Sequence, residues 1–215
     1  MGEPAGTRVT GVGASYDRVA DEYVRRIAGE LAHKPFDRKL LDTFADRVRG
    51  SGLVCDMGCG PGHVGRYLHD RGVSICGVDL SPQMIECARA LNPDIAFAEG
   101  DMRQLTVGDE TWSAIVAFYS IIHLPRAEVV PALGELRRTL RRGGALLMAF
   151  HIGDGHLHLD EWWGQTVNVD FQFFRSDEMV GYLRDASFEI EETFEREPYA
   201  EVEHQSRRAY ILARR

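Results

Sequence analysis

The run Asp56-Met57-Gly58-Cys59-Gly60-Pro61-Gly62 sets an acid two residues before the first of three alternating glycines. Glycines so spaced let the backbone turn tightly and come close to a ligand. Residues 60–65 of the same stretch also satisfy G-x-G-x-x-G, which taken alone points to the pyrophosphate of a dinucleotide. Asp56 argues otherwise, because a carboxylate that close repels a phosphate and attracts an ammonium group. Asp79 closes a later apolar run and can accept both hydroxyls of a ribose. In Gly100-Asp101-Met102 a third acid can accept an exocyclic amino group, and a thioether can pack on a purine ring. Together these residues describe a pocket for a nucleoside that carries an ammonium group and no phosphate.

Such residues need elements to hold them. LVCDM is a short apolar run ending at the glycine loop, and a helix, GHVGRYLHDRG, follows. SICGVDL leads into the helix SPQMIECARAL, with Ser81 as N-cap and Pro82 at the first helical position. IAFAEGD, WSAIVAFYS and GGALLMAFH read as further strands, the last two separated by a helix, PRAEVVPALGELRRTLR. Continuous apolar strands alternating with amphipathic helices predict a parallel sheet covered on both faces. Ligands of such sheets sit at the carboxyl ends of the strands, where the glycine loop and the acids fall. RSDEMVGYLRDA then reads as a helix, and SFEIEETFEREP and RRAYILARR as an antiparallel edge pair, the second a strand with charged ends. Upstream, residues 1–14 are expected to be poorly ordered and Ser15 to cap YDRVADEYVRRIAGELA, with a second helix, FDRKLLDTFADRVRG, after Pro35. The expected organisation is one domain over residues 15–215, in which residues 15–50 form a helical cap and residues 151–175 an insert.

Bulk properties narrow the partners. A chain of 215 residues with 44% hydrophobic and 27% charged side chains fits one globular domain. A net charge of −8 argues against nucleic acid, which calls for a basic face. Cys55, Cys59, Cys76 and Cys87 form no C-x-x-C pair and read as small buried thiols of a reduced compartment. No signal peptide is evident, and no run reaches the ~20 apolar residues of a membrane span, so a cytoplasmic location without membrane contact is expected. Oligomeric state is not set by the sequence, which leaves room for a homodimer.

Five motifs, DMGCGPG (56–62), GVDLSPQMI (77–85), EGDMRQL (99–105), IVAFYSIIHLP (115–125) and LRRGGALLMAF (140–150), resemble in order and spacing those of a class I S-adenosylmethionine-dependent methyltransferase. The resemblance implies a Rossmann-like α/β fold with seven strands ordered 3-2-1-4-5-7-6, the seventh antiparallel. It implies S-adenosylmethionine as cofactor, leaving as S-adenosylhomocysteine. The cofactor residues it points to are Asp56, Gly58, Cys59, Gly60 and Gly62 on the loop, then Asp79, Leu80 and Met84, then Gly100, Asp101, Met102 and Phe118. It also implies that Tyr16 and Tyr23, seven apart on one helical face, close over the methionine end.

The cofactor's methyl is already reactive, so the protein must align a nucleophile and keep water out. A weakly acidic nucleophile such as a phenol also needs a base. His123, on the loop after the fourth strand, is the expected base, with Tyr119 lining the cofactor or bonding the acceptor. His151, ending the fifth strand, is the next candidate. The following segment is dense in aromatics, and Trp162, Trp163 and Phe171 are expected to form the acceptor wall. His33 and Lys34 would fall near the mouth of the site. His156, His158 and Asp160 lack a third strong ligand at metal-like spacing, so no metal is expected. The leading reading is methylation of a small aromatic or heteroaromatic molecule, such as a phenol or indole, in natural-product biosynthesis. A protein or RNA methyltransferase, or a non-catalytic cofactor-binding module, are the alternatives; FYSI stands where base-modifying enzymes carry an NPPY-type motif.

Overall fold

A computed structural model describes residues 11–215. Residues 1–10, most of the segment expected to be poorly ordered, lie outside the described residues. Residues 12–14 are helical: α1 spans Val12–Ile27 and begins three residues before Ser15. Ser15 is therefore not its N-cap, a place held by Gly11 without a side-chain bond. The hydroxyl of Ser15 is buried, accepts the Asn168 N–H at 3.0 Å and lies 3.1 Å from the Asn168 carbonyl. It also lies 3.0 Å from the Gly11 carbonyl, so it ties the start of its own helix to a distant strand.

Seven strands build the main sheet. They are β1 (Val54–Met57), β2 (Ile75–Asp79), β3 (Ala96–Glu99), β4 (Trp112–Phe118), β5 (Leu140–His151), β8 (Glu189–Arg196) and β9 (Arg208–Arg214). Their spatial order is β3-β2-β1-β4-β5-β9-β8. The first five run parallel, and β9 lies antiparallel to both β5 and β8. Counted along this sheet the order is 3-2-1-4-5-7-6, as the resemblance implies. Between them β6 (His156–Trp162) and β7 (Gln165–Gln172) form a separate antiparallel hairpin.

Side chains alternate across the sheet with period two. Val54, Ala114, Val116 and Leu147 face α2 (Pro35–Val48), α3 (His63–His69) and α4 (Pro82–Leu91) through Leu41, Phe44, Leu68 and Ile85. Cys55, Ile115, Leu146 and Met148 face α5 (Arg126–Thr139) and α6 (Ser176–Asp185) through Leu133, Leu136, Met179 and Leu183. The order reverses between β1 and β4, so the chain leaves their carboxyl ends in opposite directions and opens a crevice there. Ser81 caps α4 as expected, its Oγ accepting the Met84 N–H at 3.1 Å. No described helix is long and apolar enough to cross a membrane.

The last strands join the N-terminal helices through buried charges. Asp37 of α2 accepts from Arg196 at 2.8 Å and from the Tyr210 hydroxyl at 2.8 Å. Arg196 also holds Glu203, which in turn faces Lys34 at 3.3 Å and Arg208 at 3.4 Å. Removing one partner of a buried pair strands the others. Arg196→Met should destabilise the fold by about 3–5 kcal/mol, whereas Arg47→Met, which breaks the more exposed pair with Glu191, should cost at most about 1 kcal/mol. Urea denaturation of both variants checks the contrast.

Candidate active site

Two cavities lie over the carboxyl ends of the strands. The first, of about 480 Å³, is lined by the loops after β1, β2, β3 and β4 and by the start of α1. Gly58 and Gly60 hold φ of +71° and +51° there. A Cβ on Gly58 would sit 2.2 Å from the Cβ of Ser120, so the chain packs there only without one. Asp79 is held by the backbone: one oxygen accepts Gly60 N–H at 2.7 Å, the other Ser81 N–H at 2.9 Å. Burial pushes its carboxyl upward, against the pull of those amides. A carboxylate so fixed is oriented for a pair of hydroxyls.

Asp56 is buried and accepts the Gly65 N–H of α3 at 2.8 Å. Burial raises it to about 7, opposed by His63 and by that amide. In dinucleotide-binding folds the helix start after the glycine loop receives the pyrophosphate. Here a carboxylate occupies it, so the loop does not fit a pyrophosphate. The acids that line the cavity are Asp79, Asp101 and Asp17, and Arg103, its basic residue, is paired with Asp101 at 2.6 Å. An acid-lined crevice with a glycine cradle fits a cationic nucleoside.

The second cavity, of about 950 Å³, lies between α1, the hairpin, the end of β5 and the loop before β9. Tyr16, Tyr23 and Tyr119 line both cavities. Tyr119 follows β4 with φ +55°, an uncommon conformation for a residue with a side chain. Its hydroxyl lies 3.3 Å from that of Tyr210. Trp163 (φ +53°) and Gly164 (φ +80°) turn the hairpin. The Trp162 and Trp163 rings stand 4.7 Å apart, with Arg26 over Trp163 and Trp162 edge-on to Tyr16 and Tyr23.

His123 sits where the roof meets the sheet. Its Nδ1 is 3.0 Å from the Asp170 carbonyl, which can only accept, so Nδ1 carries the hydrogen. Nε2 therefore accepts from the Tyr16 hydroxyl at 2.9 Å. Burial pushes the imidazole down to about 4. His151 donates to or accepts from the Ser206 hydroxyl at 2.8 Å, and burial followed by Arg208 presses it down to about 3.

Residues 54–144 match the model of a family described as a methyltransferase domain. A malonyl-[acyl-carrier protein] O-methyltransferase of Pectobacterium atrosepticum is 37% identical over 69% of this chain and 53% of its own. Residues 54–144 are thus a methyltransferase domain, and the fold around them is that of class I S-adenosylmethionine-dependent methyltransferases. The chain spans about half the length of the curated relatives it matches. A S-adenosylmethionine-dependent methyltransferase of Methanosarcina mazei shares the fold with a TM-score of 0.72 at 17% identity, over 80% of this chain and 96% of its own. The [4+2]-cyclase SpnF does so with a TM-score of 0.72 at 17% identity, over 98% and 99%.

Most of the expected site residues gather at the cavities. Tyr16, Tyr23, Gly58, Gly60, Asp79 and Leu80 line the first, as do Gly100, Asp101, Met102, Phe118, Tyr119 and His123. Lys34, His151, Trp162, Trp163 and Phe171 line the second. Five expected residues line neither. Asp56 is turned to α3, Cys59 packs in the core with its sulfur toward Gly77, and Gly62 starts α3 against Phe97. Met84 is fully buried under α4, and His33 is exposed on the turn Glu30–His33. Phe174, within the aromatic segment, belongs to the core. Lys34 is buried between Glu30 and Glu203. One expectation about charge is corrected. Arg208 is no charged strand end but is 2% exposed. Asp17, which accepts from Ser81, along with Arg103, Glu203, His204 and Arg208, was missed. Arg103 falls inside the motif EGDMRQL, and the others lie outside the five motifs, where no spacing marks them.

The expected base does not match this geometry, because both His123 nitrogens are engaged. The imidazole's depressed pKa has a consequence for stability. Below pH 6.5 the unfolded chain protonates this ring, whereas the folded chain does so only near pH 4. Stability should therefore fall as pH drops from about 6.5 toward 4, and His123→Gln should reduce that loss. Denaturation midpoints at pH 7 and pH 5 test it, and an unchanged pH dependence in the variant would contradict it.

Proposed function

We propose that the chain transfers a methyl group from S-adenosylmethionine, held in the first cavity, to a small molecule held in the second. The observation that carries this reading is the junction at Tyr16, Tyr23 and Tyr119, where one set of side chains lines both cavities. When bound, the cofactor supplies a methyl on a sulfonium. Asp79 would hold the ribose hydroxyls, with Gly58 and Gly60 admitting the backbone-side of the ligand. Asp101, locked by Arg103, would present its carboxylate to the adenine, with Met102 beside the ring. Asp56 would act through α3 rather than by direct contact.

Trp162, Phe171 and Phe173 line the acceptor side and suit an apolar or aromatic body. The hairpin and α1 would help exclude water from the junction once both ligands are bound. His123 would serve as a positioning residue that aims Tyr16, and Tyr119 would orient the acceptor. The relative named as a malonyl-[acyl-carrier protein] O-methyltransferase supports an acceptor other than a nucleic-acid base.

Calorimetry decides the cofactor assignment: S-adenosylhomocysteine should bind and NAD should not, and Asp79→Ala should weaken binding by about 1.5–3 kcal/mol. Trp162→Ala should raise the acceptor KM while leaving cofactor affinity nearly unchanged. Loss of cofactor affinity in the tryptophan variant, with no change at Asp79→Ala, would reverse the assignment of the two cavities.

A further inference from the structure

One side of the second cavity is built around Arg208. The residue is 2% exposed, lines the cavity and lies with its guanidinium carbon 5.7 Å from the Tyr119 ring. One terminal nitrogen is held by the Ser206 carbonyl and, at 2.8 Å, by the Ser206 hydroxyl. The other faces Glu203 at 3.4 Å. Nε, itself buried, has no partner among the described residues. A guanidinium has five N–H donors, and leaving one buried and unmade is costly. Glu203 does not neutralise Arg208 alone, because Arg196 and Lys34 share it. The Ser206 hydroxyl also meets His151, whose ring lies 5.7 Å from that of His204. Burial and then Arg208 depress both imidazoles, so two uncharged rings flank one under-satisfied cation.

The junction offers no group that takes a proton near neutrality. Burial raises the hydroxyls of Tyr16, Tyr23 and Tyr119, His123 is held at both nitrogens, and His151 is depressed to about 3. A group that arrives already ionised suits such a place. An ammonium would meet Arg208 and Lys34. A dianion would meet Glu30 and Glu203, which line the same cavity. A single negative charge on a planar group matches the guanidinium fork.

We propose that Arg208, flanked by His151 and His204, is a subsite for a carboxylate of the acceptor, whose apolar body lies along Trp162, Phe171 and Phe173. The proposal rests on the reading of the second cavity as the acceptor site. A matched pair of probes separates the two. With the full chain saturated in S-adenosylhomocysteine, 2-naphthoate should bind at least about tenfold more tightly than 2-naphthamide, by calorimetry and by tryptophan fluorescence, as hydrogen bonds to a charged group imply. Arg208→Gln should remove that preference while keeping the amide's affinity, and Arg208→Lys should restore part of it. If the unmodified protein binds acid and amide equally, the subsite is wrong while the acceptor cavity stands, a result that needs no variant to fold. If neither probe binds, the acceptor reading falls and the subsite with it.

Discussion

The hydrogen bond from the Tyr16 hydroxyl to His123 Nε2 ties together three segments that are far apart in the chain. Tyr16 comes from α1, His123 from the turn after β4, and the other nitrogen of His123 holds the Asp170 carbonyl of β7. The Ser15 hydroxyl on Asn168 repeats the α1–β7 link one residue earlier. With both imidazole nitrogens engaged, the ring stays neutral and cannot reorient without breaking a buried bond. The tyrosines that divide the two cavities therefore stand on a fixed support. The aromatic edges of Trp162 and Phe171 pack onto the same ring group, which gives the roof apolar cohesion as well.

Electrostatics divides the two cavities as clearly as the tyrosines do. Carboxylates dominate the first, and each has a distinct holder: Asp79 the backbone, Asp101 an arginine, Asp17 the start of α4. Their orientations are set before any ligand arrives, which is how a site avoids reorganisation cost. The second cavity mixes buried cations and anions in a network reaching from α2 to β9. That network does structural work by joining the N-terminal helices to the edge strands, and it sets the charge lining the second cavity.

The fold alone does not decide the reaction. A cyclase and a methyltransferase share this architecture with the chain at equal similarity. What differs among such proteins is the material above the strand ends. Here that material is α1, the β6–β7 hairpin and the loop before β9, and a reading of specificity has to start from their side chains.

Much of this was legible from the residues in order. Continuous apolar strands, glycine at 58 and 60, and acids at 79 and 101 are local signals, because strand burial, tight turns and N-caps depend on neighbours in sequence. They pointed to a parallel sheet with a crevice at its strand ends, whereas the strand order was what the family resemblance implied. What tertiary structure decided was the fate of each polar side chain. Asp56 and Asp79 are alike in sequence, two acids at strand ends, yet one caps a helix and the other faces the cavity. His123 had the right position for a base, and only packing showed that Tyr16 and Asp170 engage both of its nitrogens. Lys34 and Arg208, 174 positions apart, meet over the same glutamate. Burial and pairing at that distance follow from packing, which no local pattern encodes.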